Sequence, residues 1–173
     1  MPPDLSRQSA GAPAATFLGS LALRVESPAA RPIPGAVQVS FQAHGRLQGP
    51  ALNGRLSGCA GSLEVDSDGV GYLRLEGPLE LTACPALLQA SGRCDFGPDG
   101  RESAQSGRLP PAGATLMVRV LTTRDGCTAL NRSLAVAVGR IDVPARSLTL
   151  DLFSMAPAAA SAPATPFRTG PVS

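Results

Sequence analysis

The 173-residue chain has no tryptophan and no lysine, and it has one tyrosine and one histidine. Without lysine, catalysis through a Schiff base is excluded. The formal net charge is +2, and the arginines are scattered rather than clustered or interleaved with aromatics. Nucleic-acid binding therefore has no support. No apolar run approaches the roughly 18 residues that a membrane-spanning helix needs, so no membrane partner is expected.

Cysteine is scarce as well: Cys59, Cys84, Cys94 and Cys127 are the whole set, and no two stand at C-x-x-C spacing. With a single histidine beside them, a zinc site is not expected, and no motif for phosphate or dinucleotide binding occurs, so we expect no metal and no cofactor. The N-terminus lacks the pattern of a secretory signal. These features predict a cytoplasmic protein with four free thiols, of which Cys94 is a core residue and Cys59 and Cys127 are exposed near turns.

Glycine and proline are abundant, at 19 and 17 residues, and they separate stretches of alternating polarity. From Ala36 to Leu47 apolar and polar residues alternate, which is typical of a strand with one buried face. Gly49-Pro50 ends that strand, and Asn53-Gly54 favours a tight turn. Gly58 and Gly61 indicate a barrel corner, a bulge or a close backbone contact, the alternative being a plain loop between two hairpins.

The same alternation recurs along the chain, with no convincing helix. The long polar stretch 97–113 is predicted to be a loop of a length typical of functional or disordered segments, and in a barrel a lid over one mouth is one role open to it. Gly77-Pro78 predicts a bulge or an edge position. One domain, 16–156, lies between a tail at 1–15 and an Ala/Pro-rich tail at 157–173, both expected to be disordered. Many short strands with turns between them predict a β-sandwich or a β-barrel. The predicted strands are 16–26, 36–47, 62–65, 72–81, 86–95, 114–123, 130–141 and 146–155.

A family resemblance favours the barrel. The run G-x-L-x-G-P-x-L-x-G-x-L-x-G at 45–58, the turn Asp68-Gly69 and the segment Leu130-Asn131-Arg132 with Gly139-Arg140 resemble the DUF3237 (UPF0311) family of bacterial β-barrel proteins. The resemblance covers roughly residues 16–155. It implies an all-β fold, a single closed, mostly antiparallel β-barrel of about eight strands (calycin/AttH-like), which has room inside for side chains or one small ligand.

The chain departs from that family at two acidic positions. The family's Gly-Gly-Ala-Asp-Trp run is replaced here by 59–63, Cys-Ala-Gly-Ser-Leu, and its Thr-x-Asp-Gly-Ala turn by 82–86, Thr-Ala-Cys-Pro-Ala. If those acids carry activity in the family, this chain has lost that activity or moved it elsewhere.

Three residues are candidates for catalysis. His44 is the only imidazole, although it shares the polar face of its strand with Gln42 and Arg46, which favours simple exposure. Asp151 lies mid-strand among apolar residues; it either faces solvent or has a partner, and burial would raise its pKa and suit it to proton transfer. Arg119 is a candidate partner across the sheet, the alternative being two unrelated surface charges.

Asn131 and Cys59 are the candidate ligand-binding residues, although a turn-shaping role suits Asn131 better. The first functional hypothesis is a barrel that binds a small apolar molecule and works as a cofactor-independent isomerase or cyclase. The alternatives are a non-catalytic binder or carrier, which the missing acids favour, and a structural or interaction protein. A homodimer, formed through an open edge or an apolar outer face, is a further prediction.

Overall fold

The alternation of apolar and polar residues becomes an alternation between the inside and the outside of a barrel. The computed structural model describes residues 15–155, and in them eight antiparallel strands follow one another around a closed barrel, with β8 pairing back to β1. This confirms the all-β barrel over the sandwich. The predicted disordered tails lie outside the described residues, apart from Ala15, with which β1 begins. The strands are β1 (Ala15–Ile33), β2 (Ala36–Gln48), β3 (Gly54–Asp66), β4 (Val70–Leu81), β5 (Pro85–Asp95), β6 (Ala112–Leu121), β7 (Ala135–Asp142) and β8 (Ser147–Met155).

Leucine fills most of the barrel interior. In residues 15–155, the large side chains with less than 2 % exposure are leucines, joined by Ile141. Full burial of one such side chain stabilises the fold by about 1.5–3 kcal/mol. Cys94 is also buried in this core, as predicted, and all four thiols are free.

A bulge in β3 explains why the sequence pattern shortened this strand. β3 runs from Gly54, not from residue 62, and it carries one extra residue between Leu56 and Ala60 relative to β4. Gly58 lies in this bulge with φ 75°, a conformation that favours glycine. Because of the extra residue, the inward-facing side chain after Leu56 is Cys59, three residues on instead of two. The period of two is therefore interrupted although the strand continues.

Gly77 and Pro78 lie on β4 opposite the bulge in β3, and they form no bulge themselves. β4 passes through them in unbroken register with β5, so the predicted irregularity lies on the opposite strand. A Cβ atom at Gly77 would lie 2.6 Å from the Cα of Cys59, so only glycine lets the bulged strand pack so closely.

The loop predicted at 97–113 contains a short helix. α1 (Gly100–Gln105) is followed by a segment whose Leu109 reaches the core together with Ala104 of the helix. This end of the barrel, which we call the helix end, is therefore closed, as expected of a lid. At the opposite end, which we call the mouth, the predicted strand 130–141 begins only at Ala135, because Thr128–Arg132 forms a 3₁₀ helix.

Candidate functional site

A small apolar cavity opens inside the mouth. Its volume is about 160 Å³, and the walls come from β1, β6, β7, β8 and the two connections that lead into β3 and β7. No lining side chain is charged, and the side-chain polar groups in the wall are two serine hydroxyls. The lining residues are Leu18, Ala51, Leu52, Val118, Val120, Leu130, Ser133, Ala135, Leu152 and Ser154.

Backbone hydrogen bonds fix one side of the mouth. The carbonyl oxygen of Leu18 accepts from the amides of Ala51 and Leu52 at 3.3 and 3.1 Å, which ties the β2–β3 connection to the start of β1. Asn53 makes that connection compact, since its side-chain amide donates to the Gly49 carbonyl at 2.7 Å. The tight turn predicted at Asn53-Gly54 is wrong in position: the chain bends at 49–51, Gly54 is already the first residue of β3, and neither Asn53 nor Gly54 has a positive φ. The compact connection holds Leu52 over the cavity.

Asn131 fixes the other side of the mouth. Its Nδ2 donates to the Thr122 carbonyl at 2.8 Å, and its Oδ1 accepts from the Thr122 amide at 2.7 Å. Both bonds brace the 3₁₀ helix against the end of β6, and they place Leu130 in the cavity wall. The role that the structure shows for Asn131 is therefore to shape the connection; ligand binding by its side chain remains a prediction.

His44 lies on the outer wall of the barrel. Its side chain is 46 % exposed, and its Nδ1 atom lies 3.6 Å from Oε1 of Glu26 on the neighbouring strand. The exposure anticipated from its polar strand face is confirmed. A catalytic role for His44 remains a prediction, and the mouth cavity does not include it.

Asp151 and Arg119 also point outward, and they are not paired. The carboxylate of Asp151 accepts from the Ser20 hydroxyl at 2.5 Å, directly across the β1–β8 ladder. Register places Asp151 level with Val138 of β7, and Val138 level with Thr115 of β6. Arg119 is four residues further along β6, about 13 Å at the usual rise of a strand. The expected ion pair across the sheet is therefore wrong, because the register offsets the two charges.

Cys59 is buried rather than exposed. It lies in β3 with no exposed surface, which corrects the prediction that it stands in or beside an exposed turn. Burial raises the pKa of its thiol to about 11, against a smaller lowering by a backbone hydrogen bond at Glu76. Burial likewise raises the pKa of Cys94 to about 12. Both thiols are protonated at neutral pH.

Two thiols meet beside the mouth. Cys84 is buried in the β4–β5 turn, and Cys127 is half-buried just before the 3₁₀ helix. Thr122 brings the two connections together, since its hydroxyl donates to the Pro85 carbonyl at 3.0 Å. The Cys127 thiol is hydrogen-bonded to the Cys84 thiol, and this bond raises the pKa of Cys127 while Arg124 opposes the rise.

A broad depression, which we call the outer groove, crosses the outside of β3 to β7. Its two adjoining parts have volumes of about 580 and 740 Å³ and share Arg74, Ser91 and Met117. Met117 is 56 % exposed and Tyr72 46 %, and the guanidinium of Arg93 lies 6.0 Å from the Tyr72 ring centre. Ser62 on β3 and Ser91 on β5 have short side chains in the lining, between longer side chains such as Arg74 and Met117.

Neither a metal site nor a membrane-spanning helix is found in the part of the chain that the structure describes. Within residues 15–155, no three His, Cys, Asp or Glu side chains gather in a group that could hold a metal ion. Over the same residues, no helix has the length and apolar character needed to cross a membrane.

Comparison with known proteins identifies the fold and goes no further. No protein-family model and no curated protein matches the chain, so the resemblance to DUF3237 remains a prediction. A conserved protein of unknown function from Rhodopseudomonas palustris is 12 % identical, with TM-score 0.72 over 84 % of this chain and 99 % of that one. A β-barrel-like protein from Acinetobacter baumannii is 16 % identical, with TM-score 0.68 over 87 % and 100 %. An enzyme from Penicillium herquei is 16 % identical, with TM-score 0.57 over 87 % and 98 %.

Sequence reasoning missed the residues that line the mouth cavity and the outer groove. Leu18 lies at an irregularity of β1, where the register with β8 shifts, and Leu52 lies in the β2–β3 connection; at neither place does a period of two tell which side chain points inward. The outward face of β6 was visible as Thr115, Met117 and Arg119, but its neighbours across the sheet depend on register. The meeting of Cys84 with Cys127 depends on which strand ends are adjacent, and no local pattern carries that information.

Proposed function

We propose that the protein binds a small apolar molecule, or the apolar end of a longer one, in the mouth cavity, and that it does so without transforming it. The observation that carries this proposal is the lining: eight apolar side chains, two serines and no charge around about 160 Å³. Pockets for drug-sized ligands span roughly 300–1,000 Å³. A dry apolar cavity of about 150 Å³ accepts benzene in another protein, so a single ring or a short alkyl chain is the fitting size.

The absence of a titratable group from the lining separates this proposal from an isomerase or a cyclase. Proton transfer needs an acid or base within hydrogen-bond reach of the bound molecule. His44, Asp151 and Arg119 all lie on the outer wall. The structural neighbour from Penicillium herquei is an enzyme, but a shared fold at this identity supports only the idea that such a barrel can host a reaction. A non-catalytic binder is the function that the cavity favours.

The proposal is tested by titrating the full chain, labelled at leucine and valine methyl groups, with benzene while recording NMR spectra. We expect saturable shifts at Leu18, Leu52 and Leu130, and an increase in thermal stability with benzene concentration, because a ligand that binds only the folded state stabilises it. Absence of saturable shifts at these methyl groups, or shifts confined to the outer groove, would overturn the proposal.

Filling the cavity provides the matched control. Ala135→Leu adds a larger side chain to the cavity wall and should weaken benzene binding at least about tenfold, or 1.4 kcal/mol. Val138→Leu adds one methylene on the same strand but on the 49 % exposed outward side, and should leave binding unchanged. If Ala135→Leu fails to fold, Ser154→Val narrows the same cavity near its edge with a smaller change in volume.

A further inference from the structure

The outer groove contains several large apolar side chains that are exposed to solvent. Tyr72 on β4, Met117 on β6 and Leu134, just before β7, line the groove and are between 41 and 56 % exposed. Contiguous apolar patches on a protein surface commonly mark sites of interaction. The barrel is closed, so the open edge considered in the sequence analysis is absent from residues 15–155, and a face is the remaining route to association.

Two opposite charges flank the groove at the same height. Glu76 on β4 is level with Gln89 on β5, and Gln89 is level with Arg119 on β6. Two strand spacings, roughly 9.5 Å, therefore separate the backbones that carry the two charges. Among the side chains that the structure describes, the ion pair found is that of His44 with Glu26, and neither Glu76 nor Arg119 has an ion-pair partner among them.

We propose that the outer groove is the interface of a homodimer whose two-fold axis runs along β5. An axis in the plane of the interface and parallel to β5 places β4 of one protomer opposite β6 of the other. Glu76 then faces Arg119 of the partner subunit, and the symmetry forms this pair twice. The charge pattern of one groove is thus complementary to its own copy, which is the condition for an isologous interface.

The side chains at the centre of the groove are compatible with a two-fold axis along β5. Ser91 lies on β5, where the axis passes, and its short side chain allows the two sheets to approach. In the same row Met117 faces the aliphatic stem of Arg74 of the partner subunit, which can cover an apolar side chain while its charge stays in water. Arg93, which also lies near the axis, would meet its own copy, but its guanidinium is drawn aside over the Tyr72 ring.

Sedimentation and light scattering of the full chain over a wide concentration range test the proposal. We expect a reversible dimer, with Glu76→Arg or Arg119→Glu alone raising the dimer dissociation constant at least about tenfold, because like charges then face one another. The double variant Glu76→Arg/Arg119→Glu restores opposite charges in the exchanged positions, and it should recover dimerisation to near the wild-type constant.

Glu80→Arg is the matched control. Glu80 is an exposed acid on the same strand, level with Arg55 and Pro85 and beyond the groove, so its reversal should leave the dimer intact. Circular dichroism and thermal melting confirm that each variant is folded. A wild-type chain that stays monomeric at the highest concentration, or single reversals without effect, would overturn the proposal. Failure of the double variant to recover would reject the β5 axis, and with it this interface.

Discussion

The ring of Phe41 occupies the space that a side chain at Gly61 would need. The two residues are directly opposite on β2 and β3, and a Cβ atom at Gly61 would lie 2.1 Å from Cε2 of the ring. Phe41 is only 5 % exposed, so the ring has little room to move. The aromatic side chain lies over the bare backbone of the neighbouring strand, and the close contact expected from the sequence at Gly61 is thereby confirmed.

Gly61→Ala is expected to destabilise the barrel by about 1–3 kcal/mol, the usual cost of overpacking a filled core. Urea unfolding measures this difference. Gly113→Ala is the control, because a Cβ atom there meets nothing within 4 Å, and its effect should stay within about 0.5 kcal/mol. Phe41→Leu shortens the group that clashes, so the cost of Gly61→Ala should be smaller in that background. Equal effects of the two glycine substitutions would contradict the contact.

Cys84 and Cys127 are expected to form a disulfide when hydrogen peroxide is added. Two thiols give up two protons and two electrons, and the peroxide is reduced to two molecules of water. Mass spectrometry of peptides should show this link and leave Cys59 and Cys94 unmodified, because both are buried. Cys84→Ser should abolish the link. Labelling of Cys59 in the native state, with no cross-link at Cys127, would refute this assignment.

The rate of that oxidation should rise with pH. The thiolate is the reactive form, and the hydrogen bond that the Cys127 thiol donates to Cys84 raises the pKa of Cys127, so little thiolate is present at neutral pH. Arg124 opposes this rise, and Asp125 and Arg132 are the other charged residues of the same connection. Arg124→Gln should therefore slow the oxidation at a given pH. Stopped-flow or quenched alkylation rates across the alkaline range measure both effects, and a rate independent of pH would contradict them.

Unfolding stability should fall as the pH rises above about 9. The ordinary thiol pKa is 9.0, whereas burial holds Cys59 at about 11 and Cys94 at about 12. Between these values the unfolded chain has lost protons that the folded chain keeps, so the free energy of unfolding decreases with pH. Urea unfolding of the wild type and of Cys59→Ala/Cys94→Ala tests this. The double variant should be less stable near neutrality but show a shallower alkaline decline; equal slopes would exclude the two thiols as the cause.

Substitution of the outward polar residues should leave the mouth cavity unaffected. His44→Ala and Asp151→Asn remove groups on the outer wall, so benzene affinity should change less than about twofold, and stability by no more than about 1 kcal/mol. The loss of the hydrogen bond from Ser20 is the main expected cost for Asp151. The benzene titration described above measures the affinity. A tenfold loss with either variant would instead show that an outer-wall residue influences binding in the mouth cavity.

The sequence by itself determined most of the strands and the all-β class, because these depend on local properties, whereas the choice of a barrel over a sandwich came from the family resemblance. Alternation along β2, positive φ at Gly58 and the bend between Gly49 and Asn53 are set by residues close together in the chain. The bulge in β3 shows the limit, since one extra residue conceals the period of two. The local pattern also predicted correctly that His44 is exposed, because the polar face of a strand points to solvent whichever strand lies beside it.

Tertiary structure alone decided which distant residues meet at the surface and in the mouth cavity. Register places Arg119 away from Asp151 but level with Glu76, and strand order brings Cys84 against Cys127. The mouth cavity arises where leucines from two connections meet the ends of four strands. These relationships join residues far apart in the chain, and their formation depends on the barrel closing in one register. A period read along a single strand holds no information about its neighbour's offset, which is why the site could not be read from the sequence.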